Sequence, residues 1–188
     1  MWKSASLAIA CGLIAAPAFA ADTLKFEPRH TYAMFSYSHF GMTEPSGKIM
    51  GASGTLVLDS ADPTKDTVDI ALDMNTLTTG LPDFDTQLKG ADYFDVAQFP
   101  QATFKSTKVE MTGDNSANVT GDLTIHGVTK SVVLAVTFNK KAFNPAIFKT
   151  GYGFTATAHI DRSDFGVSQY KTFMGSDVQL DIGAEAYP

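Results

Sequence analysis

The amino-acid sequence predicts an all-β protein: one antiparallel β-barrel of about eight strands, with a short helical insertion near residues 82–98. Apolar and polar residues alternate with period two along most of the chain beyond residue 20, as half-buried strands require. Clusters of turn-forming residues separate the alternating runs. The chain also carries 14 phenylalanines while only 18% of its residues are charged, and rings in that number need an interior.

The first twenty residues stand apart from that pattern. Lys3 precedes a run of about ten apolar or small residues, Leu7 to Ala16, and Ala18-Phe19-Ala20 supplies the small-x-small sequence that signal peptidase reads. Such a run falls short of the roughly 20 apolar residues that cross a bilayer. Residues 1–20 are therefore read as a secretory signal cut after Ala20, and 21–188 as one domain. Lipidation at Cys11 would leave only Ser4 to Ala10 as the apolar stretch and would waste the Ala-Phe-Ala site. Cys11 is the single cysteine, so a chain cut after Ala20 has no disulfide staple and must rest on its core.

The strands can be followed in order. Val68, Ile70, Leu72 and Met74 alternate with Asp69, Ala71, Asp73 and Asn75. Val119, Leu123 and Ile125 oppose Thr120, Asp122, Thr124 and His126. Tyr152 to Asp161 and Val178 to Ala186 repeat the pattern, each with one wet and one dry face. Asp59 to Pro63 and Thr112 to Asn115 read as turns, and His126 to Lys130 as a tight hairpin built on Gly127 and leading to Ser131–Asn139. Pro82 to Gln98 breaks the alternation. Phe84, Leu88, Ala91 and Phe94 lie near helical spacing, Pro82 and Asp83 mark a helix start, and Gly90 divides the stretch into two short helices. Pro100 returns the chain to a strand, Ala102–Val109. Short loops between consecutive strands imply a meander, and closing it removes exposed edges.

Charge narrows the class of partner. The formal net charge is −6, and removing the signal takes away Lys3 alone, which gives −7. An acidic surface argues against nucleic acid and against docking by charge to anionic membranes, and no stretch predicts stable membrane insertion.

Several motifs resemble the YceI-like family of polyisoprenoid-binding proteins. Phe26-Glu27-Pro28-Arg29-His30-Thr31, followed by Phe35 and His39, is similar to that family's first strand. Leu88, Tyr93-Phe94-Asp95, Phe99-Pro100 and Thr103-Phe104-Lys105-Ser106 are similar to its helix-to-strand segment. Val119 to Lys130 resembles its G-x-L-T-I-x-G-V-T hairpin, and Ile160-Asp161-Arg162-Ser163-Asp164-Phe165-Gly166 its I-D-R-x-D-F-G motif. The resemblance covers nearly all of residues 21–188. It implies an elongated lipocalin-like barrel in the periplasm that holds a long apolar chain: a polyisoprenoid, an isoprenoid quinone-like molecule, or a fatty acid or amide. Gln87 stands where the family commonly has histidine, and His126 where it commonly has arginine.

The chemistry-bearing residues point away from catalysis and metal. The four histidines, His30, His39, His126 and His159, lack zinc-ligand spacing, and His126 and His159 fall on polar strand faces. The sequence has no G-x-S-x-G elbow and no glycine-rich phosphate loop, so neither a catalytic group nor a cofactor is assigned. Asp83, Asp85, Asp92 and Asp95 read as helix caps and first-turn charges rather than a calcium site. His39 shares a face with Ala33, Phe35 and Tyr37. It either contacts a ligand head group or is tied to a backbone carbonyl, the second being the commoner fate of a buried polar group. Arg162 either clamps an anionic head group or pins its hairpin through Asp161 and Asp164. The residues expected to line a cavity are Phe35, Tyr37, His39, Ile70, Leu72, Met74, Phe84, Leu88, Phe94, Phe99, Phe104, Phe138, Phe154 and Met174, with Tyr170–Gly175 shaping a mouth. A packed barrel and a hollow one demand the same inward faces, so the choice of a hollow one rests on the resemblance. Two other readings stand beside the carrier: a lipid-modifying enzyme using His39, and a stress-related interaction protein with a solid core. A homodimer is left open.

Overall fold

The computed structural model describes residues 21–188; residues 1–20, expected to be a signal segment and including Cys11, lie outside the described residues. Nine strands form one sheet: β1 (Asp22–Phe26), β2 (Tyr32–Tyr37), β3 (Ser46–Leu58), β4 (Thr67–Thr78), β5 (Gln101–Gly113), β6 (Ser116–Ile125), β7 (Val128–Asn144), β8 (Lys149–Asp161) and β9 (Asp177–Tyr187). From β2 to β9 each strand pairs antiparallel with the next. Tyr32 opposite Gly183 through Tyr37 opposite Val178 then joins β2 to β9 and closes the barrel.

The ninth strand is half of a broken stave. β1 lies in the slot between β3 and β9 that β2 occupies further along, pairing Asp22 with Leu58 and Lys25 with Tyr187. A tight turn over residues 27–31 separates the halves, and a break in a ladder leaves backbone groups to be satisfied. Thr31 does so. Its buried hydroxyl donates to the Glu185 carbonyl at 3.1 Å and accepts from the Glu185 N–H at 3.1 Å, while Glu27 N–H reaches the same carbonyl at 2.8 Å. The Glu27 carboxylate accepts from the N–H groups of Arg29 and His30 and so holds the turn.

The connections differ from the expected ones in two places. The β6–β7 hairpin needs only His126 and Gly127, both left-handed at φ 52° and 73°, so β7 begins at Val128 rather than Ser131. Such a two-residue turn matches the twist of paired strands. In the insertion one helix forms, α1 (Pro82–Lys89), and the second does not. Beyond Gly90 the chain folds into turns closed by Asp95 N–H to Gly90 O and Phe99 N–H to Asp95 O, with Asp95 itself at φ 40°. Pro82 occupies the first helical position as expected, but Leu81 is the N-cap and Asp83 caps nothing. Asp85 does the anchoring, accepting from Thr79 N–H at 2.6 Å, Thr79 Oγ1 at 2.7 Å and Thr78 Oγ1 at 2.7 Å.

The two barrel ends are unlike. Even-numbered strands β2, β4 and β8 finish at one end, and the long connections 38–45, 79–100 and 162–176 all gather there. The last holds a 3-10 turn, Arg162–Phe165, and a short helix, α2 (Lys171–Met174). At the opposite end the connections are 59–66, 114–115 and 145–148, and the interior is filled. Leu24, Phe26, Ala52, Leu56 and Ala186 pack there with Val68, Ile70, Leu72 and Phe154, and the packing continues through Phe104, Val109 and Val119.

Replacing Thr31 by Val keeps its volume but strands the Glu185 N–H. The expected cost is about 1–3 kcal/mol, read as a lower urea midpoint at unchanged slope. An unshifted midpoint would mean the hydroxyl does not hold the break.

Candidate functional site

The long-loop end encloses a cavity of about 420 Å³, within the roughly 300–1,000 Å³ range of small-ligand pockets. Its barrel wall comes from inward positions on several strands: Ala33, Phe35 and Tyr37 of β2, Ile49 of β3, Met74 of β4, Ala102 of β5, Ile125 of β6, Ile160 of β8, and Val178 and Leu180 of β9. Phe35 faces Gly47 across the β2–β3 pair, and a Cβ at residue 47 would come within 2.3 Å of the ring. Glycine there lets the ring lie flat on the sheet instead of standing into the cavity.

The loops complete the wall. On α1, Phe84, Gln87 and Leu88 stand at i, i+3 and i+4, one helix face, and all three border the cavity. Tyr93 and Phe94 follow from the turns behind them. The 162–176 loop supplies Phe165, Val167, Tyr170, Phe173 and Met174. Its neck is stitched from both sides. Arg162 donates to the carbonyls of Val167 at 2.7 Å and Gly175 at 2.9 Å, and its own N–H reaches Ser176 O at 2.9 Å. Asp161 accepts from Ser163 N–H at 2.8 Å, from the Ser163 hydroxyl, and from Ser176 Oγ at 2.6 Å. A shallower depression adjoins the mouth, sharing Tyr37, His39 and Phe84 with the cavity and adding Glu44, Ser46, Thr79 and Leu81.

The polar side chains that border the cavity are Tyr37, His39, Gln87, Tyr93, Arg162 and Tyr170, and each can donate a hydrogen bond. Gln87 Nε2 lies 3.5 Å from the Tyr93 hydroxyl. Burial raises the Tyr37 phenol above its ordinary range, with a further push from nearby Tyr93, and burial likewise raises Tyr93. Both therefore stay protonated, as neutral donors, through physiological pH. Donors set into an apolar wall suit a head group that accepts hydrogen bonds at one end of a greasy chain.

Most residues singled out from sequence come together here. Phe35, Tyr37, His39, Met74, Phe84, Leu88, Phe94, Met174 and Arg162 all border the cavity. The others lie elsewhere. Ile70, Leu72, Phe104 and Phe154 belong to the packed end; Phe138 stacks on Phe154 at 5.3 Å. Phe99 packs edge-on against His126 at 4.9 Å and covers Gly127. The strand residues among them share the inward period but sit at the packed level of the barrel, whereas Phe99 lies in a loop. His39 is tied to its neighbours by its backbone, N–H to Thr43 O at 2.9 Å, while its imidazole packs edge-on against Phe40. Arg162 pins its loop through carbonyls rather than through Asp161 and Asp164. His126 does not stand on a wet face: Nδ1 lies 3.2 Å from Phe165 O under the Phe99 ring. Of the two departures from the family pattern, Gln87 is in the cavity wall and His126 is not. Tyr93, Phe165 and Val167 were not among the expected cavity residues, because they sit in loops, where no period marks an inward face, whereas Tyr170 and Phe173 fall in the segment expected to shape the mouth.

Residues 24–186 match the YceI-like domain. A UPF0312 protein of Pseudomonas savastanoi pv. phaseolicola is 37% identical over 173 residues, spanning 89% of this chain and 88% of its own length. Another, from Ectopseudomonas mendocina, is 33% identical over 184 residues, 96% of this chain and 95% of its own. Among solved structures, BcnA of Burkholderia cenocepacia superposes with a TM-score of 0.72 at 25% identity, covering 82% of this chain and 95% of BcnA. A polyisoprenoid binding domain from Saccharophagus degradans shares the fold at 13% identity, with a TM-score of 0.66 over 87% of this chain and 97% of its own.

The loop neck has a pH signature. Hydrogen bonds from Ser163 and then Ser176 hold the Asp161 carboxyl down at about 2. A depressed folded value stabilises the fold fully above the ordinary carboxylate range and loses that contribution as pH falls towards 2. Melting temperature should therefore drop less steeply between about pH 4 and pH 2 in Asp161→Asn than in the parent. Glu27, Asp62 and Asp85, also depressed, titrate alike in both proteins, so the difference isolates Asp161. Parallel curves would show that the neck carries no such linkage.

Proposed function

The chain belongs to the YceI-like family, and from that premise we propose that it is a secreted carrier that encloses a long apolar chain without reacting with it. The observation that carries this reading is the division of the barrel into a packed end and a hollow one, the hollow end walled by apolar side chains and open at a mouth. A chain buried there gains about 0.8 kcal/mol per methylene before ordering costs, so affinity needs few polar contacts. The ligand is a polyisoprenoid, an isoprenoid quinone-like molecule, or a fatty acid or amide. A fold shared with a polyisoprenoid binding domain supports the first of these. Tyr37, His39, Gln87, Tyr93 and Arg162 are the proposed head-group contacts, and Phe35, Met74, Phe84, Leu88, Phe94 and Met174 the proposed chain contacts. The signal pattern read in residues 1–20 supports work in the periplasm, where such a chain has to cross water.

Native mass spectrometry of residues 21–188, purified without detergent and followed by organic extraction, tests the proposal. A stoichiometric long-chain adduct supports it and names the ligand class. A clean apoprotein that also refuses added polyprenyl and fatty chains sinks it. A hollow site makes a second demand. Ala33→Phe and Ala102→Phe project a ring into empty space, so each should leave stability near the parental value, where overpacking a filled core costs about 1–3 kcal/mol. Each should also abolish uptake. Loss of stability with retained uptake would put the ligand somewhere else.

A further inference from the structure

We infer that the open end of the barrel is a docking face for an uncharged phospholipid surface, with Phe40, Met42, Leu81, Tyr170 and Phe173 entering the bilayer interface. These side chains are 52, 72, 64, 58 and 68% exposed, and they come from three loops far apart in sequence that converge on one rim. Aromatic and other large apolar side chains gathered on one face are what the interfacial region accepts. Their backbone is held for this placement. Phe40 and Tyr170 adopt left-handed conformations at φ 56° and 55°, unfavourable for aromatic residues and costly to maintain without a reason.

Two observations select a bilayer over another partner. Phe40, Tyr170 and Phe173 line the cavity with part of their surface and solvent with the rest, so the apolar wall runs unbroken from the interior to the outside. With the rim seated in a bilayer, a chain sliding in from the membrane never meets water. Charge then chooses the lipid. Lys171 is occupied by the Ser163 hydroxyl and lies 3.8 Å from Asp161, Arg162 is bound to carbonyls, and Glu44 borders the mouth. Attachment is therefore by apolar insertion rather than by attraction to anionic head groups. The inference rests on the carrier reading for its purpose but not for its test.

The test is flotation of ligand-free protein with phosphatidylcholine vesicles at low and high salt. The parent should float with the vesicles equally at both. A double variant, Met42→Ser with Leu81→Ser, leaves the cavity wall intact and should cut the floated fraction about tenfold or more, given the area two large side chains withdraw from water. Phe148→Ser is the control, because Phe148, 82% exposed, lies on the β7–β8 hairpin at the far end. It should float like the parent. A parent that stays soluble, that floats only at low salt, that loses flotation through Phe148→Ser instead, or that self-associates through the rim without touching vesicles overturns the inference. Uptake of a polyprenyl chain from dispersion is scored separately. Uptake without flotation removes the docking face and leaves the carrier, and flotation without uptake does the reverse.

Discussion

The structure depends on one constraint: the hydrogen-bond ladder must close on itself where the first stave meets the last. An open sheet of this length would present two bare edges to other chains, and joining β9 to β2 and β1 leaves neither. The closure is also where the ladder is interrupted, since its first stave is made of two short strands in tandem. A single hydroxyl, Thr31 Oγ1, stands in for the missing backbone partner by donating and accepting at Glu185. Without that substitution a buried N–H would lie unpaired in the wall that all the other strands rely on.

Breaking the stave has a second effect. It lets β1 set Leu24 and Phe26 into the interior at one end, while β2 aims Ala33, Phe35 and Tyr37 into the other. The inward faces of the remaining strands follow the same gradient. Along β4, Val68, Ile70 and Leu72 join the packed end and Met74 faces the cavity; along β8, Phe154 packs and Ile160 borders the hollow. Side chains meeting across the barrel fill the packed end, and the small Ala33 and Ala102 leave room in the wall of the cavity. One uninterrupted hydrophobic pattern thus builds both a packed half and a hollow one.

That is why the fold was legible in sequence and the site only partly so. Period two identifies inward faces, and it found Phe35, Met74, Phe154 and Phe104 alike. It carries no information about height along the barrel axis, so it could not tell Met74, which borders the cavity, from Ile70 two pairs below. Strand closure followed from the meander, and Pro82 marked the true start of α1. The second helix failed because Gly90 ends the first in extended backbone and the turns behind it close on its carbonyl instead. Tyr93 and Val167 were missed for a related reason: loop residues obey no period, and their placement is decided by loop necks such as the Asp161–Ser176 stitch. The Gln87 departure was noticed in sequence, and its meaning appeared only when α1 turned that residue to the same face as Phe84 and Leu88.

The hollow end is the part of this barrel that folding by itself does not favour. Burying apolar surface is worth ~25 cal/mol per Å², so rings placed beside an empty apolar cavity should collapse into it. Here the geometry prevents that. Phe35 is drawn flat against the sheet by Gly47, and Phe40 and Tyr170 are turned to the rim by left-handed backbone. The loop bearing Tyr170, Phe173 and Met174 is tied at its neck by Arg162 and Asp161. Each device gives up some stability or uses polar bonds to keep space open, and they all lie at the end where the long loops gather. Of the left-handed non-glycine residues among those described, Phe40, Asp95, His126 and Tyr170 stand at the long-loop end and Phe148 alone at the other, so most of the backbone strain lies at the end that holds the cavity.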